Sequence, residues 1–172
     1  MSKILIIAAA AATFSGTAAF AHVTLETSQA ATGSTYKAVL RVPHGCDGKA
    51  TTAVRVRLPE GFIGAKPMPK PGWKLETVSS AVSSGYMLHG APVTETVTEI
   101  AWSGGSLPDQ FYDEFVFRGT IADSLEAGTT LYFPVVQECD GAVERWIEQP
   151  AAGQDAHDLE KPAPGLVLSP KR

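Results

Sequence analysis

Short segments in which apolar and polar residues alternate recur along the sequence, and many of them end near glycine or proline. In one segment Val54, Val56 and Leu58 take alternate positions, with arginines between them. A period of two residues is typical of a β-strand that buries one face. The segments are 22–26, 35–43, 52–59, 73–78, 94–102, 111–119, 129–137 and 143–147. About eight short strands joined by such turns predict an all-β chain with an immunoglobulin- or cupredoxin-like β-sandwich.

The sequence predicts a single sandwich domain over residues 22–150, since no segment repeats at a fixed period. Three prolines within 65–72 predict a loop there, because proline has no N–H to donate to a sheet. Only 121–127 could hold a helical turn. The residues that follow the domain are rich in Pro, Ala, Gly and charge, so we expect a polar C-terminal tail over 151–172.

The N-terminus has the features of a secretory signal peptide. Lys3 precedes an apolar run over 4–14, and small residues lead to Ala-Phe-Ala at 19–21. We expect cleavage after Ala21, which makes His22 the first residue of an exported, periplasmic or extracellular protein. The apolar run is too short to span a bilayer comfortably, so no stable membrane anchor is expected.

The two cysteines, Cys46 and Cys139, lie far apart in the sequence and outside any Cys-x-x-Cys motif. In an exported protein such a pair is most often a disulfide, which is our prediction. The alternative is a pair of soft ligands for copper.

His22 would carry both an α-amine and an imidazole after cleavage. The amine and Nδ1 can close one chelate ring on a metal, and the amine, with a pKa of about 8, gives up its proton readily near neutral pH. Nitrogen ligands in a tetragonal arrangement favour Cu(II), which also heads the affinity order of the divalent metals. A carboxylate or water must complete such a site. Otherwise His22 is simply a residue tolerated after the cleavage site.

Two further segments could supply partners for His22. Along 111–119, Phe115 and Phe117 face one way and Glu114 faces the other, while Asp113 shares the phenylalanine side unless a bulge re-aims it. These acids could equally be a solvated strand end. Along 143–148, Trp146 shares one strand face with Glu144 and Glu148, and the alternate residues are Val, Arg and Ile. We therefore place Trp146 on a polar face, where it could cover a sandwich edge or line a metal site.

Seven motifs, taken in order, resemble the YcnI family of exported bacterial copper-binding proteins. They are HVTLE at 22–26, RVPHGC at 41–46, KPGW at 70–73, WSGG at 102–105, DEF at 113–115, QEC at 137–139 and RWI at 145–147. The resemblance covers the chain from His22 to about Pro150. Some relatives carry a C-terminal membrane anchor, which we do not expect here.

The resemblance implies a β-sandwich that binds one Cu(II) per chain in a single-histidine brace. Carried onto matching positions, the metal residues are His22, Glu114 and Trp146, with Asp113 and Glu26 as reserve carboxylates. The tryptophan is expected to act as a wall, since a neutral indole N–H has no lone pair to offer.

The expected function is copper chaperoning, buffering or delivery in the cell envelope, without catalysis and with other copper-handling envelope proteins as partners. The alternatives are a copper-dependent monooxygenase, which would need a second histidine, and a metal-free adhesion or assembly domain. We expect His44, His89 and His157 to be ordinary exposed histidines. A softer copper site using Met68, His44 or His89 is a minor alternative.

Other function classes lack their sequence features. The chain has 14 Lys and Arg against 18 Asp and Glu, and an acidic chain without basic clusters is not expected to bind nucleic acid. The sequence contains no Gly-x-Ser-x-Gly elbow, phosphate-binding loop or His-x-x-x-His zinc motif.

Overall fold

The structure, a computed structural model, describes residues 22–82 and 85–171. The predicted signal peptide, residues 1–21, lies outside the described residues. Within those ranges no helix is long and apolar enough to cross a membrane. The described elements are β1 (Thr24–Leu25), β2 (Gln29–Ala31), β3 (Thr35–Val42), β4 (Thr51–Arg57), β5 (Phe62–Pro67), β6 (Lys74–Ala81), β7 (Met87–Leu88), β8 (Ala91–Pro92), β9 (Glu95–Leu107), β10 (Asp113–Ile121), β11 (Thr130–Tyr132), β12 (Val135–Cys139), β13 (Ala142–Trp146), a 3₁₀ turn (Ala156–Asp158) and β14 (Gly165–Ser169).

Two sheets form the body of the domain. One has the strand order β1-β3-β10-β5, and the other has the order β13-β12-β4-β9-β6. Their inner faces share one core, in which the Trp102 ring of β9 lies 5.5 Å from the Phe115 ring of β10. The predicted β-sandwich is therefore confirmed.

The alternating pattern correctly identified the buried faces of β4 and β10. Val54 and Val56 of β4 are buried, whereas the arginines between them are exposed. In β10 the side chains of Phe115 and Phe117 point inward and those of the alternate residues point outward. Removing this apolar surface from water is the main force that holds the two sheets together.

The C-terminal residues complete the fold, so the predicted tail over 151–172 is wrong for residues 165–169. Strand β14 pairs antiparallel with β11 and parallel with β2, in a third sheet with the order β11-β14-β2. Leu166 and Leu168 are buried in the common core, while Val167 between them is exposed. The prolines at 162 and 164 hid this short alternating strand in the sequence.

The predicted loop over 65–72 is also partly wrong, because β5 extends to Pro67 and pairs with β10. Strand β5 is at the edge of its sheet, where a proline without an N–H is tolerated. The possible helical turn over 121–127 is instead the end of β10 followed by a turn closed by Leu125 N–H on the carbonyl of Ala122.

Gly105 of β9 should not tolerate a side chain. A Cβ there would lie 2.1 Å from Cε2 of Trp73, whose ring packs edge-on against Phe115 at 5.0 Å. We expect Gly105→Ala to lower the free energy of unfolding by about 1 to 3 kcal/mol in urea titrations, as overpacking does. The control is Gly85→Ala, which places its Cβ in open space. Equal stability of the two variants would contradict the tight packing of Trp73.

Candidate metal centre

His22 lies where the edges of the two main sheets come together. It precedes β1, the edge strand of one sheet, and its ring centroid lies 5.5 Å from that of Trp146 in β13, the edge strand of the other. The two ring planes are inclined by 52°. The side chain of His22 is half-buried, and its Nε2 is buried. Two of the predicted metal residues, His22 and Trp146, are therefore neighbours.

Trp146 faces the core, so its predicted place on a polar face is wrong. It is only 5% exposed, whereas Val143 and Ile147 point outward. The strand alternation had been identified correctly, but the buried face was misassigned. Glu144 shares the inner face of Trp146 through strand alternation, and its carboxylate forms an ion pair with Lys161 there. A charged residue on this face made it look polar in the sequence.

A buried polar network that the sequence did not reveal holds the Trp146 indole. Its Nε1–H donates to Oε1 of Gln137, at 3.1 Å, and Gln137 is completely buried. The amide nitrogen of Gln137 donates to the carbonyl of His44 at 2.7 Å and to Oγ1 of Thr51 at 2.8 Å. The indole N–H is therefore engaged within the core, and its ring is left to face His22.

The predicted disulfide between Cys46 and Cys139 is confirmed, and it borders this network. It joins the turn that follows β3 to the end of β12. Oγ1 of Thr51, a partner of Gln137, lies 3.9 Å from Sγ of Cys139. Because both sulfurs are in the bond, the alternative in which they bind copper as thiolates does not apply to this state of the protein.

Glu114 lies on the outer face of the first sheet, as predicted. It is opposite Arg41 of β3, which is in turn opposite Thr24 of β1. Because the two residues are two strand spacings apart, the Cα of Glu114 lies about 10 Å from the Cα of Thr24. Its carboxylate accepts a hydrogen bond from the hydroxyl of Tyr112, and this bond raises the pKa of that hydroxyl. Glu114 thus flanks the edge strand and does not share the inner face with Trp146.

The two reserve carboxylates have other neighbours. Asp113 forms an ion pair with Lys70 at 2.7 Å. Glu26 is exposed on the outer face, and its charge acts on Tyr36, whose pKa is raised to about 12, first by burial and then by Glu26. Within residues 22–82 and 85–171, no group of three or more His, Cys, Asp and Glu side chains is arranged to hold a metal.

His157 is the residue near His22 that the sequence did not predict. It is exposed, as expected, but it lies in the 3₁₀ turn and lines a cavity of about 290 Å³ together with His22. Burial lowers the pKa of His22, and the charge of His157 lowers it further. The sequence pattern places this histidine in a polar tail. The alternating Leu-Val-Leu of β14, a few residues later, was the feature that could have shown that this segment belongs to the fold.

The residues of the alternative softer site do not show a shared arrangement. His89 is exposed in a turn with φ of 53°, and Met68 is 53% exposed. Nδ1 of His44 lies 2.5 Å from the carbonyl oxygen of Gly45 within the turn that carries Cys46. The exposed position predicted for His89 is confirmed.

Comparisons with known proteins identify the fold and the family. The chain is similar to an uncharacterized protein from Nocardia farcinica whose crystal structure reveals an immunoglobulin-like fold. The two are 28% identical, with a TM-score of 0.62, over 86% of this chain and 98% of the other. Comparison with curated proteins gave no match. A family described as "Domain of unknown function (DUF1775)" matches residues 22–168, which includes β14. The chain therefore belongs to the DUF1775 family, whose domain is found in YcnI-like proteins.

Proposed function

We propose that the chain, once cut after Ala21, binds one Cu(II) ion at His22 and serves in copper chaperoning, buffering or delivery in the cell envelope. The observation that carries this proposal is the packing of the His22 ring against Trp146, with ring centroids 5.5 Å apart. A histidine that was merely tolerated after a cleavage site would have no reason to pack on a buried indole.

The donor atoms of His22 suit copper. With Nε2 buried, the other ring nitrogen, Nδ1, is the one that closes a six-membered chelate with the α-amine. Burial keeps the pKa of His22 low, and the neutral imidazole is the form that binds a metal. Trp146 supplies a wall, because its N–H is held by Gln137 and its indole nitrogen offers no lone pair. The carboxylate ligand predicted at Glu114 stays a prediction.

We further propose that the protein is exported, that it carries copper as cargo, and that it exchanges the ion with other copper-handling envelope proteins. The disulfide supports export, because such bonds persist in oxidising compartments.

A second candidate function is a copper-dependent monooxygenase, which His157 favours because it lines the same cavity as His22. Oxidation of a polymer by the copper-loaded protein with a reductant would distinguish this enzyme from a carrier.

The test is copper binding by the chain that begins at His22. We expect one Cu(II) per chain, with nitrogen hyperfine structure in the electron paramagnetic resonance (EPR) spectrum. Both His22→Ala and one extra alanine before His22 should weaken binding about a hundredfold, equivalent to roughly 2.7 kcal/mol, because each breaks the chelate. Binding should also raise the unfolding temperature, since copper is a ligand of the folded state.

His89→Asn is the matched control, because it removes an exposed histidine and Asn tolerates a positive φ. It should leave copper affinity unchanged. Unchanged affinity in the two His22 variants would instead contradict the proposed site.

A further inference from the structure

We infer that His157 is a second imidazole ligand of the copper ion at His22, so that copper in this chain is held between the N-terminal histidine and the turn Ala156–Asp158. This inference rests on the proposed function and goes beyond the single-histidine brace that the family resemblance implies. It assigns a metal-binding role to a residue that no sequence pattern singled out.

The geometry places the two imidazoles at one cavity. His22 and His157 both line the space of about 290 Å³. The rest of the wall includes the apolar residues Val23 and Ala163 and also Arg41, a cation that cannot bind a metal. Metal ions in proteins bind to nitrogen, sulfur or oxygen donors, and among the side chains of this wall the imidazoles are the donors that suit Cu(II) best. A copper ion chelated by His22 would therefore meet His157 across the cavity.

The main chain links the turn of His157 to the strand that carries Trp146. The backbone N–H of Glu148, two residues after Trp146, donates to the carbonyl of Lys161 at 3.1 Å. The backbone N–H of Ala163 donates to the carbonyl of Glu148 at 2.7 Å. These bonds close the segment 148–163 into a loop that carries His157. The loop that carries His157 therefore begins two residues after Trp146, the wall of the proposed copper site.

The turn itself is closed locally, so little backbone order has to be created when the metal binds. Oδ1 of Asp155 accepts a hydrogen bond from the backbone N–H of His157, at 2.9 Å. The side chain of His157 is exposed and has only two torsion angles to fix. Rotating one exposed imidazole toward the cavity costs less free energy than reordering a loop.

The electrostatic repulsion that metal binding would remove follows from the shared cavity of the two imidazoles. Two protonated imidazoles at one cavity repel each other. A cation bound to both rings in their neutral form replaces this repulsion with attraction, and two imidazoles with the α-amine offer three nitrogen donors to Cu(II).

The experiment is pulsed EPR on the full chain beginning at His22 and loaded with one Cu(II). The remote nitrogen of each bound imidazole modulates the electron spin echo, and two rings add combination lines that one ring lacks. We expect these lines in the wild type and their loss in His157→Asn, together with about tenfold weaker copper binding. His89→Asn, which removes a different exposed histidine, should match the wild type.

The outcomes separate this inference from the proposed function. If the wild type and His157→Asn both bind copper tightly and both give the spectrum of one imidazole, the second ligand is wrong and the site at His22 stands. If the wild type does not bind copper tightly, the proposed function is wrong as well. Urea unfolding of His157→Asn should match the wild type without copper, which excludes misfolding as the cause of a changed spectrum.

Discussion

Replacing Cys46 and Cys139 together by alanine is expected to lower the free energy of unfolding by about 4 to 5 kcal/mol. The bond closes a loop between residues 93 apart, and a constraint of this length removes many conformations from the unfolded chain. It also anchors the turn after β3 to the last residue of β12. Because small domains are stabilised by about 5 to 15 kcal/mol in total, the double variant should be close to the limit of folding.

Guanidinium titrations of the oxidised wild type, the reduced wild type and the double variant measure this effect. The reduced wild type and the variant should show similar losses, because both lack the cross-link and the two sulfur atoms missing from the variant contribute less than the cross-link. A loss below about 1 kcal/mol in both would contradict the expectation that the unfolded chain gains much freedom. If the free energy of unfolding fell strongly in the double variant but not in the reduced wild type, the packing of the sulfur atoms would be the stabilising factor.

The main sandwich was predictable because several of its strands carry a clear period of two. In β4 the buried valines alternate strictly with exposed arginines, and no other regular structure buries one face in that way. The signal fails where proline or a small residue breaks the period. Pro67 ends β5, and two prolines precede β14, so these strands could be recognised only from their partners, β10, β11 and β2.

The site was predictable in part, for a different reason. His22 was chosen from the chemistry of a cleaved N-terminus, and Trp146 was chosen from the family resemblance. Neither choice needed the structure, which places their rings 5.5 Å apart. The inward direction of Trp146 was hidden because Glu144 shares its face and pairs there with Lys161, a residue that a strand pattern cannot relate to β13. His157 reaches the cavity only because β14 continues the fold beyond the predicted domain end.

Gln137→Leu is expected to lower the free energy of unfolding by about 3 to 4 kcal/mol. Leucine has a similar volume but leaves the indole N–H of Trp146, the carbonyl of His44 and the hydroxyl of Thr51 without their present partner. Each buried polar group that loses its hydrogen bond costs about 1 to 3 kcal/mol, and the added apolar burial offsets only part of this.

Urea unfolding followed by tryptophan fluorescence measures the loss, with the exposed Gln110→Leu as the matched control. The control should be within about 0.5 kcal/mol of the wild type, as is usual for surface substitutions. Near-ultraviolet circular dichroism should change in Gln137→Leu alone, because the Trp146 indole loses the bond that orients its ring toward His22. If Gln137→Leu were as stable as the control and kept its aromatic spectrum, Trp146 would be held by apolar packing and not by the amide. The same result would remove the link by which the disulfide-anchored turn, through the His44 carbonyl and Gln137, supports the wall of the proposed copper site.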